Sequence, residues 1–205
     1  MHIVDGALAT PVLIAGAAAT AGGLAIGLRQ LTTERIPTAG VLSAGFFVAS
    51  LIHVPIGISS VHLIMNGIAG LILGWAAFPA LFVGLLLQAV TFGFGGITVL
   101  GVNAVNIALP AVLAGIACRS FIRKGGRNNV LIWGGICGAL AIALTTIMVS
   151  VSLALSGEEF NEAAYLVFVS HIPVMVIEGA LTAAAAWLIM QVKPELFGLS
   201  QMKDV

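Results

Sequence analysis

Long apolar runs alternate along the chain with short polar connections, and the runs lack the residue-by-residue alternation of a β-barrel strand. A helix needs about 20 mostly apolar residues to cross the hydrocarbon core. Segments of that kind fall near 11–28, 36–54, 61–78, 79–97, 102–122, 130–155 and 163–191. The pattern predicts an all-α, polytopic membrane helix bundle of about seven spans. It forms a single transmembrane domain over 1–205, with 1–10 as a loop ahead of the first span. The third and fourth segments abut at Phe78-Pro79, where Pro would end one helix and open the next. Two shorter helices dipping partway would fit the same stretch.

Charge orients the bundle. All eight basic side chains fall in alternate connections: Arg29 and Arg35, then Arg119, Arg123, Lys124 and Arg127, then Lys193 and Lys203. The intervening connections hold none, and 156–162 is acidic, with Glu158, Glu159 and Glu162. The positive-inside rule places the N-terminus outside and the C-terminus in the cytoplasm, as an odd span count requires. With 60% hydrophobic and 8% charged residues, the chain lacks the polar surface of a soluble enzyme. A net charge of zero offers nothing that tracks nucleic-acid phosphates. The expected location is a prokaryotic plasma membrane, multi-pass. The first basic residue, Arg29, follows the first apolar run, the reverse of a signal peptide, so a retained external N-terminus is expected. Small-residue pairs at Gly23/Gly27, Gly70/Gly74 and Gly134/Gly138 predict close helix crossings.

Polar chemistry is scarce, and four histidines carry most of it: His2, His53, His62 and His171. In this orientation all four map to the outer half. Imidazole is the commonest metal ligand and suits Zn, Cu, Ni and Co. A lone His in such a chain is more often structural; four at one depth weigh against that. The α-amine of Met1, the main-chain nitrogen of His2 and its Nδ1 can chelate one ion through a five- and a six-membered ring. A deprotonated amide favours the square-planar nitrogen field of Ni(II) or Cu(II), leaving one corner for a remote imidazole.

Three stretches occur in order over residues 1–110: Met1-His2-Ile3-Val4-Asp5-Gly6; Ser59-Ser60-Val61-His62 with Asn66-Gly67 and Gly70; and Leu87-Gln88 with Phe92-Gly93, Gly95-Gly96, Leu100-Gly101, Asn103 and Pro110. Together they resemble the substrate-capture membrane subunit (CbiM/NikM family) of energy-coupling-factor nickel and cobalt transporters. Residues 111–205 match only in hydrophobic layout. The resemblance implies six or seven helices with the N-terminal loop tucked into the external face. It implies an ion held by the Met1 amine, the amide and imidazole of His2, and His62. Ni2+ or Co2+ would be the transported ligand, with no resident cofactor. The implied partners are a transmembrane coupling subunit, cytoplasmic ATPase subunits and a small accessory membrane subunit. The stretch Val4–Ala9 departs from the aromatic- or Pro-rich continuation of the family.

Other polar groups have supporting parts. Asp5 is expected either to accept a hydrogen bond from the second imidazole nitrogen of His2 or to be a solvated loop acid. Ser59, Asn66, Gln88 and Asn103 would bond between helices or back the ligands, and His53 and His171 are reserve ligands. Glu178 lies near the midplane, seven residues after His171 and so on nearly the same helix face. A charge there is costly, so a pairing with Gln88 or a coupling part is expected. The glycine-rich run 91–101 contains no Gly-Lys-Ser/Thr, and no hydrolase motif occurs, so no enzyme activity is expected. The competing reading is a self-contained ion-coupled metal transporter or channel with Glu178 as its relay.

Overall fold

The computed structural model describes residues 2–56 and 59–199, the side chains of 53–61 excepted. Its helices are α1 (Thr10–Gln30), α2 (Ile36–Ala49), α3 (Asn66–Leu73), α4 (Ala77–Phe92), α5 (Leu100–Ile122), α6 (Arg127–Ala154), α7 (Asn161–Ser170) and α8 (Ile172–Val192). An antiparallel hairpin, β1 (His53–Ile56) and β2 (Ser59–His62), stands between α2 and α3. Five helical stretches are long and apolar enough to cross a membrane, Asn66–Phe92 being counted through its bend. Ile14, Val41, Val90, Ile116 and Val176 face outward, while His2, Asn66, Gln88, Thr145 and Glu178 are buried. A surface of Ile and Val around an interior that shelters the polar groups suits hydrocarbon surroundings, and the chain is a multi-pass membrane protein.

Close contacts give the direction of each pass. Gly16 of α1 meets Val102 early in α5, and Gly27 meets Trp75 O and the Pro79 ring beside the turn whose Gly74 faces Arg119 late in α5, so α1 and α5 run in parallel. Asn66 donates from Nδ2 to Ile107 O at 3.0 Å, and a Cβ on Gly70 would stand 1.8 Å from Ala111 O. The α3 segment therefore travels alongside α5, and the chain folds back through the turn Gly74–Ala76 into α4. Gly134 and Gly138 of α6 pack on Ala183, Ala186, Thr182 and the Glu178 carbonyl of α8. The expected crossings at Gly23, Gly27, Gly70, Gly134 and Gly138 all form. Gly74 instead makes the turn, at φ +57°.

The element order is compatible with seven passes among the described residues, α1 to α6 in turn, then α7 and α8 as one. The described basic residues gather at one end. There Arg35 Nη2 donates to Ile72 O at 3.0 Å and Leu73 O at 2.9 Å, and Arg123 Nε to Phe197 O at 2.8 Å. Lys203 lies outside the described residues.

Several boundaries differ from expectation. The fold-back falls at Gly74–Ala76 rather than Phe78-Pro79, because Pro79 occupies the first turn of α4, where a missing N–H costs nothing. The second span is helical only to Ala49, and residues 53–56 are strand. The bundle is thus helical with one hairpin added. The last span breaks at His171, where Pro173 opens a new helix. The α3 helix, at eight residues, is about 12 Å long, under half the core thickness. Non-helical residues complete its pass, as protein-buried backbone can.

Candidate metal centre

The end opposite the basic residues is built around the N-terminal segment. Ile3 is fully buried, and its main chain is read as a strand partner would read it. Its N–H donates to Asn103 Oδ1 and its carbonyl accepts from Asn103 Nδ2, both at 3.0 Å. Asn103 can do this because it sits in the first turn of α5, at the bundle's mouth. Two residues on, the Asp5 N–H donates to Gly95 O at 3.0 Å. The loop 93–99 closes over the segment, with Gly95 at φ +78° and Gly96 at φ +138°. A Cβ on Gly96 would stand 2.1 Å from the Asp5 carboxyl, so this approach requires glycine.

This tethering delivers His2 inward, where it is 2% exposed. Its ring stacks on His62, centroids 4.5 Å apart and planes 24° from parallel, and lies 6.0 Å from the Phe94 ring. His62 closes β2 and is 3% exposed. Its Nδ1 lies 2.9 Å from Leu63 O. A carbonyl only accepts, so Nδ1 carries the proton and Nε2 holds the lone pair. That Nε2 is buried with no hydrogen-bond partner among the described residues. A buried imidazole lone pair lacking a donor is what a metal ligand presents before its ion arrives.

The other predicted residues separate. Asp5 accepts from Thr98 Oγ1 at 2.5 Å and from Val99 N at 3.3 Å. It pins the loop 93–99 to the N-terminal segment. Asn66 ties α3 to α5 and α6 through Ile107 O and Thr145 Oγ1, each at 3.0 Å. Asn106 pairs with Ser152 at 3.1 Å. Glu178 does not pair with Gln88: its carboxyl accepts the Ile64 N–H and, at 2.9 and 3.0 Å, the Met65 N–H. Gln88 is fully buried, and its amide has no hydrogen-bond partner among the described residues. His171, fully buried at the α7–α8 break, holds its Nδ1 2.6 Å from Val167 O. Met1 lies outside the described residues, as do the side chains of Ser59 and His53, whose backbones pair with Ile56 and His62.

Phe94, Thr98 and the amides of Ile64 and Met65 went unforeseen. Phe94 had a signal, an aromatic inside a glycine-rich run; a main-chain amide has none. Among the described residues no three His, Cys, Asp or Glu cluster to hold a metal. An ion beside His2 and His62 would take its remaining donors from main-chain nitrogen or from water.

Fold and site together define a multi-pass membrane protein with paired imidazoles at one end. The family described as the cobalt uptake substrate-specific transmembrane region, CbiM, matches residues 2–196, and the chain belongs to it. A Haemophilus influenzae protein named for metal transport is 41% identical over 208 residues, covering 98% of both chains. The fused nickel transport protein NikMN of Rhodobacter capsulatus is 31% identical over 173 residues, 80% of this chain and 50% of that one. The crystal structure of a truncated transition metal transporter shares the fold, with a TM-score of 0.73 at 23% identity over 94% of this chain and 99% of its own.

Proposed function

We propose that the chain is the substrate-capture membrane component of an energy-coupling-factor importer for Ni2+ or Co2+. The ion is chelated by the Met1 amine, the amide and Nδ1 of His2, and Nε2 of His62. The observation that carries this reading is the stacking of the buried His2 and His62 rings, 60 positions apart in the chain. The donor set is nitrogen throughout, which suits a square-planar or tetragonal Ni(II). No nucleotide-binding motif is present, so the energy for release comes from ATPase partners through a transmembrane coupling subunit. The N-terminal end faces outward and the basic end meets the cytoplasm.

His2→Ala tests the reading. It removes the imidazole and its chelate ring and creates no new one, so nickel affinity measured by titration calorimetry should fall at least tenfold, about 1.4 kcal/mol. Unchanged affinity and stoichiometry would remove the amino-terminal chelate.

A further inference from the structure

Between His62 and α3 the backbone is neither strand nor helix. Met65 caps α3 at φ +52°, the only left-handed non-glycine among the described residues. Ile64 is fully buried there. The N–H groups of a buried, irregular turn at membrane depth require partners from the protein. Glu178, on the distant helix α8, supplies them. Its carboxyl accepts from Ile64 N and, bifurcated, from Met65 N. It sits at the N-terminal end of α3, where the helix dipole favours a carboxyl group.

The height of Glu178 is set by packing. A Cβ on Gly138 of α6 would stand 2.5 Å from Glu178 O, and one on Gly67 of α3 would stand 2.8 Å from Gly138 Cα. The helices α3, α6 and α8 therefore converge at Gly138, beside the carboxyl contact. Two residues above that contact, the His62 ring is fixed by Leu63 O. A shift of the 63–65 turn moves both the carbonyl that selects the His62 tautomer and the strand end that carries the ring.

We propose that Glu178 is a positioning residue for metal capture: by holding the Ile64–Met65 turn, α8 keeps the His62 ring stacked on the His2 ring. This rests on the nickel- and cobalt-capture reading above. A carboxyl that only satisfied two orphaned donors would matter to stability. One that positions His62 also alters the ion's ligand field.

The test compares Glu178→Met, which keeps the length and loses both acceptors, with Glu178→Gln, which keeps one oxygen, and with His62→Ala. Readouts are nickel affinity and the visible absorption of the nickel complex in purified protein. Glu178→Met should weaken nickel binding roughly tenfold to a hundredfold, the range seen when a group supporting a metal ligand is lost. Its spectrum should move to that of His62→Ala. Glu178→Gln should recover most of the affinity with a wild-type spectrum, which separates positioning from misfolding. Glu178→Met that melts early yet binds with wild-type affinity and spectrum overturns the proposal. In metal-free protein, Glu178→Met should also speed hydrogen exchange at the Ile64 and Met65 amides. Unchanged exchange overturns the clamp whatever the metal does, whereas wild-type protein that binds no nickel overturns the capture reading instead.

Discussion

Replacing Asn103 with alanine removes the hydrogen-bonding group that holds the N-terminal segment in the bundle. Two bonds are lost, Ile3 N–H to Oδ1 and Nδ2 to Ile3 O, both buried and both 3.0 Å. A neutral hydrogen bond contributes about 0.5–1.5 kcal/mol net, so the pair holds the segment by about 1–3 kcal/mol. If the segment stayed docked, two buried groups of Ile3 would be orphaned at about 1–3 kcal/mol each, and undocking becomes the cheaper outcome. Ordering the backbone costs on the order of 1–2 kcal/mol per residue. A short segment anchored chiefly by Ile3 and the Asp5 contacts has no large surplus to absorb the loss. His2 leaves with the segment, and the apparent affinity falls by the fraction still docked. At about 1.4 kcal/mol per decade, nickel binding should weaken roughly fivefold to 150-fold.

Titration calorimetry on detergent-purified Asn103→Ala measures the affinity. Hydrogen exchange at Ile3 and Asp5 reports docking directly. Asn103→Asp is the informative companion. It keeps an acceptor for the Ile3 N–H but turns a second oxygen toward the Ile3 carbonyl, so it should bind no better than alanine. Wild-type affinity in Asn103→Ala, with Ile3 still protected from exchange, would refute the reasoning, because the segment would then be held by something other than this pair.

Three further outcomes are expected. His62→Ala should lower nickel affinity at least tenfold, about 1.4 kcal/mol, while His171→Ala should leave it unchanged; equal losses in a calorimetric comparison would make His171 a ligand too. Gly96→Val places a Cβ against the Asp5 carboxyl at a backbone angle valine rarely adopts, so the loop should release the segment and exchange at Asp5 should accelerate. Arg35→Ala uncaps the Ile72 and Leu73 carbonyls at the basic end and should cost about 2 kcal/mol in thermal unfolding without touching nickel affinity.

How far the chain could be read in advance depended on which physical force placed each residue. Hydrocarbon thickness and the cost of charge act on whole segments, so the passes and the basic end were legible as runs and gaps. Helix breaks depend on one residue's neighbours. Pro79 looked like the break and is not, since a first-turn proline gives up no bond; Gly74 looked like a packing glycine and is the turn. Pro173 was visible, yet the run 163–191 reads through it because membrane helices tolerate proline. The strands 53–56 and 59–62 are only four residues each, and a hydropathy window cannot separate them from a helix end.

The site divides in the same way. His2, His62 and Asn103 carry side-chain chemistry at recognisable spacings, and the fold brings all three to the tucked segment. Asp5 and Glu178 were both recognised as acids that matter; Glu178 does not meet the Gln88 expected for it, and Asp5 is an exposed loop acid that holds the 93–99 loop. Each meets main-chain N–H groups in irregular backbone, at Val99 and at Ile64–Met65. Every residue but proline carries such a group, so no residue type announces it. A carboxyl buried in an apolar bundle seeks whichever donors the fold has left unpaired. In a chain whose helices satisfy their own amides, those donors are at the broken segments, which here lie beside the two imidazoles. The costly acid and the irregular backbone therefore meet for one reason: each resolves the other's unmet hydrogen bonds, two residues along the chain from His62.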